Sequence, residues 1–166
     1  MTKLTLPLGM SDFREIRESN RYYIDKTENI SELIRDGASA IQFTRPRKFG
    51  RTAFLSTLRH FFDVREDSKD IFRGLAIMED KEAVENWMNK YPVIYLSFGD
   101  IGGSSFEEAL SKLSNKLSEV FKDYSFIEDS VSPEYKERFL RICSRGTAGI
   151  DIQQSLITLA SALYEY

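Results

Sequence analysis

The order of an apolar run, a basic loop and a helix constrains the fold of this chain more than any other feature of its sequence. Residues 38–44, ASAIQFT, form an apolar run of strand length. Residues 45–52, RPRKFGRT, follow directly and are rich in cations. A helical pattern comes next, with Leu55, Leu58 and Phe62 on one face. Because short apolar runs alternate with helical patterns along the chain, the sequence predicts an α/β fold with a parallel sheet.

Residues 93–98, VIYLSF, form the clearest second strand. Their nearly continuous apolar character is typical of a strand that is covered on both faces. A shorter run at 22–24, YYI, predicts a small strand. Apolar residues at helical spacing predict helices elsewhere in the chain. These helices are expected at about 28–36, 81–90, 104–121, 133–143 and 149–166.

Composition excludes several classes of protein and site. A length of 166 residues suits one ordinary domain or an incomplete piece of a larger one. The formal net charge is −3, from 23 basic and 26 acidic residues, so no overall basic character indicates nucleic acid. Cys143 and His60 are the single residues of their types, which excludes an internal disulfide, a zinc site of several thiolates and a multi-histidine metal site.

Cysteine usage and hydropathy also bear on location. One cysteine is typical of a protein from a reducing compartment, so we expect a cytoplasmic protein. No apolar run approaches the roughly 18 residues of a membrane-spanning helix, so no membrane partner is expected.

Several reactive residues have an ordinary structural interpretation. We expect His60 to be a surface or boundary residue of its helix, and Cys143 to pack at an apolar helical position. Trp87 and Met88 are predicted core residues. Asp100 follows the second apolar run, where it either caps a turn or contacts a substrate or metal.

The loop at 45–52 lies where a phosphate-binding loop would lie, between an apolar run and a helix. The standard loop has a Gly, four further residues and then Gly-Lys-Ser or Gly-Lys-Thr. Its second Gly lets backbone N–H groups face phosphate oxygens, its Lys contacts the terminal phosphates, and its hydroxyl binds Mg²⁺. Gly50 and Thr52 match this pattern, whereas Arg51 replaces the Lys and Arg45 replaces the first Gly.

Two other interpretations of this loop stay open from the residues alone. Arg45, Arg47, Lys48 and Arg51 are also typical of a solvated basic loop. Four cations within seven residues would equally suit contact with a nucleic-acid backbone, although no interleaved aromatic face accompanies them.

Four motifs in order make the chain resemble a known family. They are LPLGMSDF at 6–13, YYIDKT at 22–27, RPRKFGRT at 45–52 and YPVIYLSF at 91–98. Together they resemble the AAA-ATPase-like family of bacteria and archaea, whose members often carry a PD-(D/E)XK nuclease-like domain towards the C-terminus. Asp25 and Thr27 belong to the second motif, and both also suit a cap of the helix that follows.

The resemblance implies a fold and a set of nucleotide-binding residues. The chain would be the N-terminal portion of an AAA-type P-loop domain, with a lead-in at 1–27 and a partial parallel sheet with flanking helices at 28–166. The implied cofactors are ATP and Mg²⁺. The residues carried over to nucleotide binding are Arg45, Arg47, Lys48, Phe49, Gly50, Arg51 and Thr52, and Thr52 is also the expected Mg²⁺ ligand.

Two departures from the family pattern limit what the resemblance implies. Arg51 keeps a positive charge, but its planar guanidinium is not equivalent to the compact ammonium of lysine. The Walker B strand, an apolar run that ends in Asp-Glu, is expected soon after the last helix and does not occur in the 166 residues. We therefore predict nucleotide binding without support for hydrolysis, which needs an acidic residue that holds Mg²⁺.

A different class of function is the alternative. The chain would then be a non-catalytic remnant, or a module that binds protein or nucleic acid. The nucleic-acid partner follows from the family's link to a nuclease-like domain. A partial sheet would also leave strand edges open, so we expect self-association through the incomplete sheet.

Overall fold

The computed structural model describes residues 5–46, 48–144 and 149–166. The chain divides into two compact units, residues 1–93 and 94–166. The α-helices of the first unit are α1 (Phe13–Glu18), α2 (Glu28–Asp36), α3 (Arg51–Phe62), α4 (Lys69–Phe72) and α5 (Lys81–Trp87). Those of the second unit are α6 (Phe106–Asp123), α7 (Pro133–Cys143) and α8 (Gly149–Glu165). Short 3₁₀ turns lie at Ala76–Glu79 and Ser125–Ile127.

The prediction of an α/β fold with a parallel sheet is wrong for the described residues. The runs at 22–24, 38–44 and 93–98 form no strands, and the β pairing seen in this part of the chain is one isolated parallel bridge between Asp63 and Tyr91. Apolar and β-branched residues indicate that a segment can pack on a half-buried surface. A strand needs more than this, because a neighbouring strand must complete its backbone hydrogen bonds. With no sheet among the described residues, self-association through sheet edges loses its structural basis there.

The predicted helices, in contrast, are confirmed. The helix after the basic loop begins at Arg51, and Gly37 ends α2 in the left-handed conformation. The expected helices in the rest of the chain appear as α5 to α8, with small shifts at their ends. Amphipathic periodicity is a property of the segment itself, so it predicts a helix without knowledge of what packs against it.

The core of the first unit is aromatic. Phe13, Phe61 and Phe72 are completely buried, and the Phe72 ring lies 4.6 Å from Phe13 and 5.5 Å from Phe61 between centroids. Burial of each such side chain contributes roughly 1.5–3 kcal/mol. Met88 is buried in this cluster and Trp87 packs against it half-buried, which confirms both as core residues.

The motif YYIDKT anchors the 3₁₀ turn at Ala76–Glu79. Asp25 Oδ2 accepts a bond from the Ala76 N–H at 2.8 Å, and the Thr27 hydroxyl accepts one from the Ile77 N–H at 3.1 Å. Asp25 Oδ1 accepts from the Thr27 N–H and hydroxyl, at 2.9 and 2.7 Å. Thr27 stands at the cap position of α2 but makes no side-chain cap bond, so the expected capping role of this residue is wrong. Its hydroxyl instead donates to Asp25 and accepts from Ile77, which lies fifty positions further along the chain.

The C-terminal end of α3 is closed by Asn89, a residue from beyond α5. The Asn89 amide nitrogen donates to the carbonyls of His60 and Asp63, at 3.1 and 2.9 Å. Its backbone N–H donates to the Phe61 carbonyl at 2.7 Å. Asn89 has φ +53°, a left-handed conformation that asparagine tolerates better than most residues. These bonds use carbonyls that a helix end leaves without intrahelical partners.

The second unit is a packing of α6, α7 and α8 around an apolar core. Phe121, Phe139, Ile142 and Leu159 are completely buried in it. Cys143 is a free thiol that packs half-buried against this core, as expected from its helical position. Burial raises the pKa of that thiol.

A capping box starts α6. The hydroxyl of Ser105 accepts the Glu108 N–H at 3.1 Å. The Glu108 carboxylate accepts the N–H and hydroxyl of Ser104, at 2.9 and 3.0 Å. These reciprocal bonds satisfy donors that the first turn of a helix leaves free. Bonds from Lys112 and Ser104 lower the pKa of Glu108 to about 2.

Candidate functional site

The basic loop turns sharply into the N-terminus of α3. Lys48 and Gly50 both adopt left-handed conformations, with φ of +66° and +77°. The Phe54 N–H donates to the Gly50 carbonyl at 2.9 Å, which closes the first turn of the helix. No acidic residue stands in that first turn. A helix N-terminus carries partial positive charge on free N–H groups, so this end of α3 favours an anion.

The predicted loop side chains are exposed wherever they are described. Arg45, Lys48, Arg51 and Thr52 are all open to solvent, and Phe49 is 63% exposed. Arg47 lies outside the described residues. The Thr52 hydroxyl is therefore accessible in the first turn of α3, where a Mg²⁺ ligand of a phosphate-binding loop would stand.

A pocket of about 430 Å³ lies beside the loop in the first unit. Its walls come from the lead-in, from the motif YYIDKT and from the start of α3. The lining residues are Leu6, Pro7, Met10, Ile16, Tyr22, Tyr23, Ile24, Lys26, Asn29, Arg45, Lys48, Phe49, Gly50, Ala53 and Phe54. The pocket thus brings together four of the predicted site residues, Arg45, Lys48, Phe49 and Gly50.

The charge of this pocket is one-sided. Among the described residues, Lys26, Arg45 and Lys48 contribute three cations to its lining, and no Asp or Glu lines it. The remaining lining residues are mostly apolar or aromatic. Arg51 and Thr52 are not among the lining residues, although they belong to the same loop. A pocket of this kind suits a ligand that combines a flat apolar part with negative charge.

Polar contacts hold α3 against the lead-in. Ser56 accepts the Phe13 N–H at 2.9 Å, and its hydroxyl donates to Asp12 Oδ2 at 3.0 Å. The hydroxyls of Tyr23 and Thr57 lie 3.2 Å apart. Ser56 and Thr57 are both buried, so these bonds are shielded from water. Residues of the first two motifs therefore fix the helix that follows the basic loop.

His60 is buried between two carboxylates, so its expected surface or boundary position is wrong. Only 4% of the residue is exposed. Its Nε2 lies 3.3 Å from Asp12 Oδ2, and its Nδ1 lies 3.2 Å from Glu66 Oε2. The contact with Glu66 has ion-pair distance but not the alignment of a hydrogen bond. Arg14 also bonds Glu66, at 2.5 Å.

The same charged cluster shifts the pKa values of both carboxyls. Burial acts to raise the pKa of Asp12, but hydrogen bonds from the Glu15 N–H, His60 and Ser56 outweigh it and lower that pKa. Burial likewise acts to raise the pKa of Glu66, and Arg14 and His60 reverse the direction and lower it. Both side chains are therefore held in the ionised form.

Comparison with known proteins shows what the chain is similar to. The family described as predicted AAA-ATPase matches residues 7–164. The chain belongs to this predicted AAA-ATPase family. An uncharacterized protein in the vnfD 5′ region of Azotobacter chroococcum mcd 1 is 35% identical over 121 residues, which cover 72% of this chain and 21% of that protein. The chain thus spans about a fifth of the length of this curated relative. No solved structure matches.

The family match extends beyond the loop to both units, since residues 7–164 include all the helices from α1 to most of α8.

Within the described part of the chain, no helix combines the length and apolar character needed to cross a membrane. The same residues hold no cluster of three or more His, Cys, Asp or Glu side chains that would bind a metal ion. Asp100 lies exposed in the second unit, outside the lining of the pocket.

Sequence reasoning missed Lys26 and the polar cluster of Asp12, Ser56 and His60. Lys26 belongs to the motif YYIDKT, in which only Asp25 and Thr27 suit a cap of the helix that follows. Ser56 and His60 are four positions apart on α3, which places them on one face of the helix. This spacing was the available signal, although nothing in it indicated that Asp12 faces both side chains.

Proposed function

We propose that the pocket and the basic loop of this predicted AAA-ATPase chain bind a nucleotide, ATP with Mg²⁺. The observation that carries the proposal is the pocket itself, whose described lining combines apolar and aromatic walls with three cations and no carboxylate. A nucleotide has matching parts, because its base is flat and its phosphates are anionic. The family match supports the same conclusion independently.

Each part of the nucleotide has a proposed partner. The base packs in the apolar part of the pocket, against the rings of Tyr22 and Phe54. Arg45 and Lys48 bind the phosphates, with the Phe49 and Gly50 N–H groups at the N-terminus of α3. The Phe49 N–H donates weakly to the Pro46 carbonyl at 3.4 Å, a bond readily exchanged for one to phosphate.

Arg51 and Thr52 complete the proposed site at its open side. Arg51 offers the phosphates a guanidinium that bonds two oxygens at once. Thr52 binds Mg²⁺ through its hydroxyl. The proposal is binding rather than hydrolysis, because hydrolysis needs an acidic metal ligand and a group that orients water. In the full-length proteins of this family, the chain corresponds on this proposal to the N-terminal portion of the nucleotide-binding domain.

Equilibrium dialysis with labelled ATP and Mg²⁺ tests the proposal. The double variant Arg45→Gln with Lys48→Gln should weaken ATP affinity by about 100-fold, as expected for two lost charge-assisted hydrogen bonds. The matched control is Arg73→Gln with Lys90→Gln, which removes two exposed cations of the same unit away from the pocket. The control should bind ATP as the unmodified chain does.

Thr52→Ala tests the metal separately. It should reduce the gain in ATP affinity that Mg²⁺ provides, and leave binding without Mg²⁺ unchanged. Absence of saturable ATP binding to the unmodified chain, or equal affinity in the double variant and its control, would show that the site is not a nucleotide site.

A further inference from the structure

We infer that Lys26, from the motif YYIDKT, is a phosphate-binding residue of this pocket and supplies a second compact ammonium beside that of Lys48. The inference rests on the proposed nucleotide function and adds a residue outside the loop at 45–52. Lys26 lines the pocket together with Arg45 and Lys48, whereas Arg51 does not line it.

The backbone on both sides of Lys26 is held firmly. Asp25 accepts the Ala76 N–H at 2.8 Å, and Thr27, which is completely buried, accepts the Ile77 N–H at 3.1 Å. Asp25 and Thr27 are also bonded to each other. A lysine between two anchored neighbours starts from a fixed Cα, so less conformational freedom is lost when its side chain binds a ligand. Such an anchored backbone is expected at a lysine whose ammonium binds a ligand at a defined position.

The adjacent carboxylate does not neutralise Lys26. Both oxygens of Asp25 are occupied by N–H and hydroxyl donors from Thr27 and Ala76. Burial acts to raise the pKa of Asp25, but these bonds and the nearby Arg17 lower it. In the part of the chain that the structure describes, Lys26 itself has no carboxylate within ion-pair distance. Its charge is therefore available to an anion in the pocket.

Lysine and arginine side chains bind phosphate in different ways. A lysine ammonium is a compact point charge on a flexible stem, and it follows phosphate oxygens that differ in position. A guanidinium is planar and binds in a fixed orientation. In this chain the loop position that normally carries lysine carries Arg51, and two other lysines line the pocket, Lys48 from the loop and Lys26 from the preceding motif. The phosphates would then contact Lys26 together with Arg45 and Lys48, which line the same pocket.

Lys26→Gln tests the inference, with Lys90→Gln as the matched control. Dissociation constants for ATP, ADP and adenosine are measured by titration calorimetry for each protein. Lys26→Gln should weaken ATP binding by about tenfold, the effect of one lost charge-assisted hydrogen bond. Adenosine binding should not change, because adenosine has no phosphate. Lys26→Arg should restore part of the ATP affinity, since it returns the charge with a different shape.

The outcomes separate the inference from the function on which it rests. If the unmodified chain binds no ATP, the proposed function is wrong and the role of Lys26 is wrong with it. If the chain binds ATP and Lys26→Gln binds it equally well, the role of Lys26 alone is wrong. An equal loss for ATP and adenosine would also overturn the inference, because it would mean that Lys26 shapes the pocket rather than binding phosphate. Circular dichroism confirms that each variant remains folded.

Discussion

Residues 5–93 combine a buried aromatic core with directional hydrogen bonds between distant residues, whereas apolar side chains between helices dominate the packing of residues 94–166. In the first unit, Asp12, Thr27 and Asn89 each bond groups far along the chain. In the second unit the contacts of α6, α7 and α8 centre on Phe121 and Phe139. The first kind of contact fixes orientation as well as distance, because a hydrogen bond weakens steeply when it is misaligned.

The pocket of the proposed nucleotide site is lined by residues of the first unit. Polar residues of the same unit tie the lead-in, α3 and the turn at 76–79 together. Apolar packing tolerates exchanges of shape and volume more readily. We therefore expect loss of packing to be costly in both units, and loss of single polar contacts to be costly mainly in the first.

The largest expected effect is loss of packing in the second unit. Phe139→Ala removes a completely buried ring from the core of α6, α7 and α8, and should lower the free energy of unfolding by about 3–5 kcal/mol. Hydrogen exchange at the amides of these helices measures the loss. Leu140→Ala, the neighbouring residue at 39% exposure, is the control and should have a much smaller effect. Equal protection in the two variants would contradict the description of this core.

A smaller loss is expected from the charged cluster of the first unit. Glu66→Gln removes the charge that faces Arg14 and His60, and should lower the free energy of unfolding by about 2–3 kcal/mol at neutral pH. The control is Glu119→Gln in the second unit, whose pair with Lys116 is exposed, and its cost should stay below about 1 kcal/mol. Urea unfolding followed by the fluorescence of Trp87 reports on the first unit directly.

The Glu66 effect also has a definite pH dependence. The folded state lowers the pKa of Glu66, so its stabilisation is present above the pKa of the unfolded chain and is lost as the pH falls through the folded value. The difference between Glu66→Gln and the unmodified chain should therefore shrink below about pH 4. A difference that grows in acid would show that Glu66 is not held in the ionised form.

The smallest of the three effects concerns one hydroxyl. Thr27→Val keeps the shape of a buried side chain but leaves the Ile77 N–H without its acceptor, and should cost about 1–2 kcal/mol. Thr44→Val makes the same chemical change at an exposed position and serves as the control. Thermal unfolding followed by Trp87 fluorescence compares them. Equal melting temperatures would mean that the hydroxyl of Thr27 does not support the turn at 76–79.

Helices were predictable from the sequence because their signals are local. The start of α3 after Gly50 and the end of α2 at Gly37 follow from patterns within a few residues. The strands at 38–44 and 93–98 were wrong because a strand depends on a partner that local composition does not reveal. Burial of His60 was equally hidden, since it depends on Asp12 and Glu66, which lie 48 residues before it and in the segment after α3 respectively.

The candidate site was predictable in part. The loop motif indicated Arg45, Lys48, Phe49 and Gly50, and the structure places these four in one pocket. The role of the loop in nucleotide binding stays a prediction. The other walls of the pocket were not predictable, because they come from the lead-in and the motif YYIDKT, which reach the loop only through tertiary contacts such as the pair of Tyr23 and Thr57.

The closure of α3 by Asn89 has a consequence for synthesis of the chain on the ribosome. The helix that begins at the basic loop receives its terminal bonds from a residue 29 positions after His60. At ordinary elongation rates, that interval takes about 1.5–6 s. When only α3 has left the ribosome, the nascent chain therefore still lacks Asn89, whose bonds close the C-terminal end of that helix. The C-terminal closure of α3 should therefore form in a late step, when Asn89 and the bridge partner Tyr91 emerge from the exit tunnel.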